Sequence, residues 1–128
     1  MGLDANMYKI PADFIKDQPW ADVELEDSGD LVELKYWRKH GQLQNWMHNR
    51  YNNYNGKTDD FNCVYVRLFE HDFEKLLQDL KSGNIPSGRG FFYGDDDQEK
   101  IDDDIAYFTE LMGELNFKKW AYLYQAWY

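Results

Sequence analysis

Two kinds of apolar spacing alternate along this chain, and they limit the folds open to it more than any motif does. Three segments repeat apolar residues at helical spacing. In "QLQNWMHNRYNNY", Leu43, Trp46, Met47, Arg50 or Tyr51, and Tyr54 share one stripe, which predicts a helix from about Gln42 to Tyr54. "HDFEKLLQDLKSG" puts Phe73, Leu76, Leu77 and Leu80 on a second stripe, with Gly83 as its C-terminal stop. Asp95, Asp96 and Asp97 suit the start of a third helix through capping and the macrodipole. That helix would turn Ile101, Ile105, Phe108, Leu111, Met112 and Leu115 inward.

Elsewhere the period is two. "GLDANMYKI" reads as an opening strand stopped by Pro11, and "LVELKYW" as a strand from about Leu31 to Trp37. "FNCVYVRLF" sets Phe61, Cys63, Tyr65 and Arg67 on one side and Asn62, Val64, Val66 and Leu68 on the other. "FFYG" is a short strand after the loop "NIPSGRG". In the terminal "KKWAYLYQAWY", Trp120, Tyr122, Tyr124 and Ala126 share a face opposite Ala121, Leu123, Gln125 and Trp127. The segment "PADFIKDQPWADVELEDSGD" is a short helical turn followed by loop, broken by Pro19 and "DSGD". This order predicts an α+β fold. Its small mixed or antiparallel sheet, of about four or five strands, is packed by three main helices in a single domain spanning residues 1–128.

The aromatic content, 18% of 128 residues, supplies a core large enough to dispense with staples. The lone Cys63 excludes an internal disulfide and a thiolate zinc site, and its apolar setting predicts a buried, inert thiol. No apolar run approaches the ~20 residues that span a bilayer, and no N-terminal targeting signal is present, so a cytoplasmic protein is expected.

Charge is distributed unevenly. The formal net charge is −10, yet Lys35 to Lys57 contains no Asp or Glu and carries Lys35, Arg38, Lys39, Arg50 and Lys57, a net of +5. "DDDQEKIDDD", Asp95 to Asp104, sets seven acids against Lys100, a net of −6. Arg38, Lys39 and His40 fall at the start of the first main helix, the end that is already positive. A cation there costs roughly 0.3–1 kcal/mol at an exposed site, whereas free N–H groups beside cations attract an anion. Either an anion sits there, external (a phosphate or carboxylate) or one of the chain's own acids, or the long cationic side chains turn away into solvent. The candidate ligand- or partner-binding residues are therefore Tyr36, Trp37, Arg38, Lys39, His40, Arg50 and Arg89, the last set between two loop glycines. Asp95, Asp96, Asp97, Asp102, Asp103 and Asp104 form a candidate acidic contact face, either solvated or imitating the phosphates of DNA.

Known chemistries find little purchase here. His40, His48 and His71 make no H-x-x-x-H or H-E-x-x-H pattern, so no metal site is assigned. An EF-hand loop counted from Asp95 would place Lys100 where glycine is needed and Ala106 where glutamate is. "SGRGFFYG" lacks the spacing of a dinucleotide loop and the Lys-Ser/Thr ending of a P-loop, and no cofactor is implied. No catalytic residues emerge, which leans against an enzyme. The net charge disfavours direct binding to nucleic acid.

"MGLD" with Met7–Tyr8, Glu33 followed by "YWRK" and Gln42–Leu43 with Trp46, the "DFEKLL" helix, "GFFYG" and the closing Trp127 occur together in this order. In this respect the chain resembles a family of small proteins encoded by tailed bacteriophages and prophages, some of them labelled as phosphoglycerate kinases. The resemblance spans nearly the whole chain, with two departures. Ala5 and Asn6 interrupt the family's opening, and Gln44 stands where relatives often carry His. A chain of 128 residues cannot supply the two large domains of a phosphoglycerate kinase. The resemblance implies a phage accessory protein in the host cytosol, and a small acidic domain without a catalytic constellation points to one that acts by binding, occupying or inhibiting a host or defence macromolecule. The alternative is a phosphate- or nucleotide-binding domain with its anion site at Arg38–Gly41.

Overall fold

In a computed structural model, residues 3–25, 28–59, 61–85 and 98–127 are described. The period-two segments form one five-stranded sheet, antiparallel at every pairing, in the order β2-β4-β5-β1-β3. The strands are β1 (Asp4–Pro11), β2 (Ala21–Val23), β3 (Val32–Arg38), β4 (Tyr65–Leu68) and β5 (Trp120–Trp127). The period-3.6 segments form α1 (Gly41–Asn53), α2 (Glu70–Ser82) and α3 (Gln98–Met112). The fold is α+β.

β5 lies at the centre because it alternates without a break and pairs on both edges, with β1 from Asp4↔Trp127 to Pro11↔Trp120 and with β4 from Val66↔Tyr124 to Leu68↔Tyr122. Its Tyr122, Tyr124 and Ala126 face the helices, joined by Ala5 and Met7 of β1 and Val66 and Leu68 of β4. Against them α1 packs Leu43, Trp46, Met47 and Tyr51, α2 packs Phe73, Leu76 and Leu80, and α3 packs Ile101, Phe108 and Leu111. The other residues of the same strands, Ile10, Ala121 and Leu123, meet Ile15 and Val23 in a second, smaller cluster. The segment between β1 and β3 thus covers part of the second face. The rest of that face, around Tyr36, Arg38 and Trp127, stays open.

Both sheet edges are blunted. β2 has three residues and an irregular register, with Asp22 at φ +55. β3 slips register opposite Met7/Tyr8, and the unpaired Leu34 turns towards the main core while its carbonyl accepts the Tyr107 hydroxyl. Bulges and very short edges discourage pairing with another chain.

Three expectations are corrected. The strand read across "FNCVYVRLF" begins only at Tyr65, because Phe61 and Cys63 adopt φ of +52 and +62, outside any extended conformation. Those kinks break the alternation. Phe61 still swings inward to stack on Tyr124 with ring centroids 6.0 Å apart, whereas Cys63 is exposed rather than buried. The segment read as loop after Pro19 contributes β2. "FFYG" lies outside the described residues. Gly83 stops α2 as expected, at φ +80, in the left-handed region that glycine enters without penalty.

Candidate functional site

β3 ends at Arg38 and α1 begins at Gly41, leaving Lys39 and His40 as the joint. Lys39 takes φ +56, its N–H donating to the Leu3 carbonyl at 2.6 Å, and His40 is the N-cap residue of α1. The strand's alternation then splits the basic–aromatic cluster. Trp37 turns under α3, while Tyr36 and Arg38 face outward.

Asp104 of α3 receives the inward group. The Trp37 indole Nε1–H donates to Asp104 Oδ1 at 2.9 Å, and His40 Nε2 bonds the other oxygen. His40 is 3% exposed and Asp104 2%. One turn earlier on α3, Lys100 Nζ donates to the Lys39 carbonyl at 3.0 Å. The anion facing the positive start of α1 is thus the chain's own, drawn from the acidic run.

Asp104 is therefore no part of an acidic contact face, and Trp37 and His40 are core rather than contact surface. An Asp at i+3 from Ile101 and i−4 from Phe108 lies on the helix's apolar stripe, so packing the stripe carries it inside. Asp102 and Asp103 are exposed, as are Arg38, Lys39 and Tyr36. The Tyr36 hydroxyl donates to Asp4, and this hydrogen bond holds the phenol's pKa above its ordinary value. Arg89, Asp95, Asp96 and Asp97 lie outside the described residues.

Arg50 belongs to a different place, between α1 and α2. There the Trp46 indole Nε1–H donates to Asp79 Oδ2 at 2.9 Å, and Lys75 Nζ stands 3.1 Å from Asp79 Oδ1. Arg50 lies over the Trp46 ring with 4.7 Å to its centroid, a cation–π contact. Its Nε is 3.5 Å from Asp72 Oδ1. Asp72, fully buried, also accepts the Tyr54 hydroxyl at 2.6 Å and the Phe69 N–H at 2.8 Å, the latter closing the N-terminus of α2. Burial first, and the hydrogen bond to Asp72 second, raise the Tyr54 phenol's pKa well above its usual 10.0. These groups border a cleft of about 350 Å³ lined by Trp46, Asn49, Arg50, Asn53, Lys75, Asp79 and Asn84.

Asp72 and Asp79 are not among the residues that the sequence singled out, and Asp104 is inside rather than on the acidic face expected of it. Their signal is the same: each sits on an apolar stripe, four residues before and three after Leu76. Among the described residues no group of three or more His, Cys, Asp and Glu side chains could hold a metal ion. Among them, too, no helix is long and apolar enough to cross a membrane. No family model, no curated protein and no solved structure matches the chain.

Proposed function

We propose that this protein acts by binding, as a small phage-type accessory protein in the host cytosol, and that it occupies the basic surface of a host or defence protein that handles DNA. The observation that carries this reading is the outward face of α3. Glu99, Asp102, Asp103 and Glu110 are all exposed there at spacings that share one side of the helix. The helix's one cation, Lys100, bonds the Lys39 carbonyl. Glu99 to Glu110 spans about 17 Å of helix axis, with Asp102 and Asp103 clustered near its start and about 10 Å before Glu110, against about 3.4 Å per charge along one DNA strand. Asp104, anchored inside, holds the ridge in register with the sheet. A phosphate or nucleotide at the Arg38–Gly41 helix start would have to compete with Asp104 for His40.

The test is capture from bacterial lysate on the immobilised protein at rising salt, with duplex DNA as competitor. A partner held through the ridge should be released by duplex DNA and weaken by about tenfold or more between 50 and 200 mM salt. It should also be lost by the Asp102→Lys/Asp103→Lys variant. A stoichiometric partner indifferent to salt, DNA and charge reversal rejects this reading, as does the capture of none.

A further inference from the structure

We propose that the cleft between α1 and α2 is a binding site for a small hydroxylated molecule that bears a carboxylate or phosphate group. This inference is independent of the α3 ridge. It starts from which polar groups in the cleft are already engaged. Both Asp79 oxygens are engaged, one by Trp46 Nε1–H and the other by Lys75 Nζ. Asp72, behind the cleft, is filled by the Tyr54 hydroxyl and the Phe69 N–H. Arg50 reaches Asp72 through Nε, at 3.5 Å, a distance that leaves the outer fork of the guanidinium uncommitted. The cation is nonetheless held firmly, since its side chain is only 19% exposed and stacks on Trp46.

Around this fork stand donors without acceptors. Asn49 and Asn53 follow Trp46 and Arg50 along one face of α1, and among the described residues their side chains make no hydrogen bond. Lys75 closes the opposite wall from α2, half exposed, and Asn84 the end beyond Gly83. A planar guanidinium fork is matched by a carboxylate or a phosphate, which accept two parallel N–H bonds. Carboxamides beside it offer both a donor and an acceptor, which suits hydroxyl groups on the same molecule. A volume of about 350 Å³ is at the small end of the range of small-molecule pockets, which suits a ligand of about this size.

The experiment is a thermal-shift and calorimetric titration of the full chain with glucose 6-phosphate, gluconate, inorganic phosphate and glucose. Glucose 6-phosphate or gluconate should raise Tm by about 3 °C or more at saturation, by mass action on the folded state. Whichever of the two binds tighter identifies the anionic group. Inorganic phosphate should bind more weakly, and glucose not at all. Arg50→Lys keeps the charge and removes the fork, and it should lower affinity at least tenfold. Asn53→Ala, at an exposed helix position that should fold normally, should lower it severalfold. Equal shifts from glucose and glucose 6-phosphate, binding unchanged in both variants, or no shift with any probe would overturn the proposal.

Discussion

The molecule builds the same contact twice and puts it to different ends. At the β3–α1 joint, Trp37 donates its indole N–H to Asp104; between α1 and α2, Trp46 donates its own to Asp79, both at 2.9 Å. The third member differs. Asp104 is completed by His40, buried on all sides, and Asp79 by Lys75, half exposed at the mouth of a cleft. The first arrangement spends its polar groups on one another inside the core. The second keeps its acid satisfied while leaving Arg50, Asn49 and Asn53 facing open space. A polar centre becomes a site when donors remain after the buried acids have been served.

Asp104→Ala should show the largest effect. It strands the His40 ring and the Trp37 N–H in the core, and removing one partner of a buried pair costs about 3–5 kcal/mol. Against a total of roughly 5–15 kcal/mol this should shift the urea midpoint severely, with Asp104→Asn recovering part of the loss. Asp79→Ala sharpens the contrast. Lys75 can turn to water, so the cost should be about 1–3 kcal/mol, mostly for the unpaired Trp46 N–H. Equal losses in the two variants would erase the distinction between a closed and an open centre.

Tyr54→Phe should cost least, about 1 kcal/mol at neutral pH, for one hydrogen bond to Asp72. Its signature is the pH dependence. Folding raises the Tyr54 phenol's pKa, so its stabilisation is complete below about 10 and declines as pH climbs towards the folded value. Urea melts between pH 8 and 11 should show the wild-type protein losing its advantage over Tyr54→Phe above pH 10. A difference constant across that range would remove the phenol from the account.

Much of this architecture was legible beforehand. The first two helices and strands β1, β3 and β5 follow their apolar periods to within a residue or two, whereas the third helix ends at Met112, short of the Leu115 expected on its inner stripe. β2 was not legible. Three residues carry no period, and Ala21 and Val23 become a strand only by pairing with Val66 and Tyr65. Cys63 was misjudged because left-handed φ values at Phe61 and Cys63 arise from the approach to β5, where the Cys63 N–H donates to Ala126. The excess of positive charge at α1 was visible, and Trp46 and Arg50 fell on one helical stripe, without any sign that the two would stack. Which acid would answer which cation was not.

What the order of residues settled alone was what is periodic: which faces are apolar, and that positive charge crowds the start of α1. Only tertiary packing chose Asp104 over its exposed neighbours Asp102 and Asp103, and set Arg50 across from Lys75. The reason is geometric. Amphipathicity is a property of one element, readable along the chain, whereas the partner of a buried charge is set by which two faces meet. Here Asp104 and His40 are 64 residues apart.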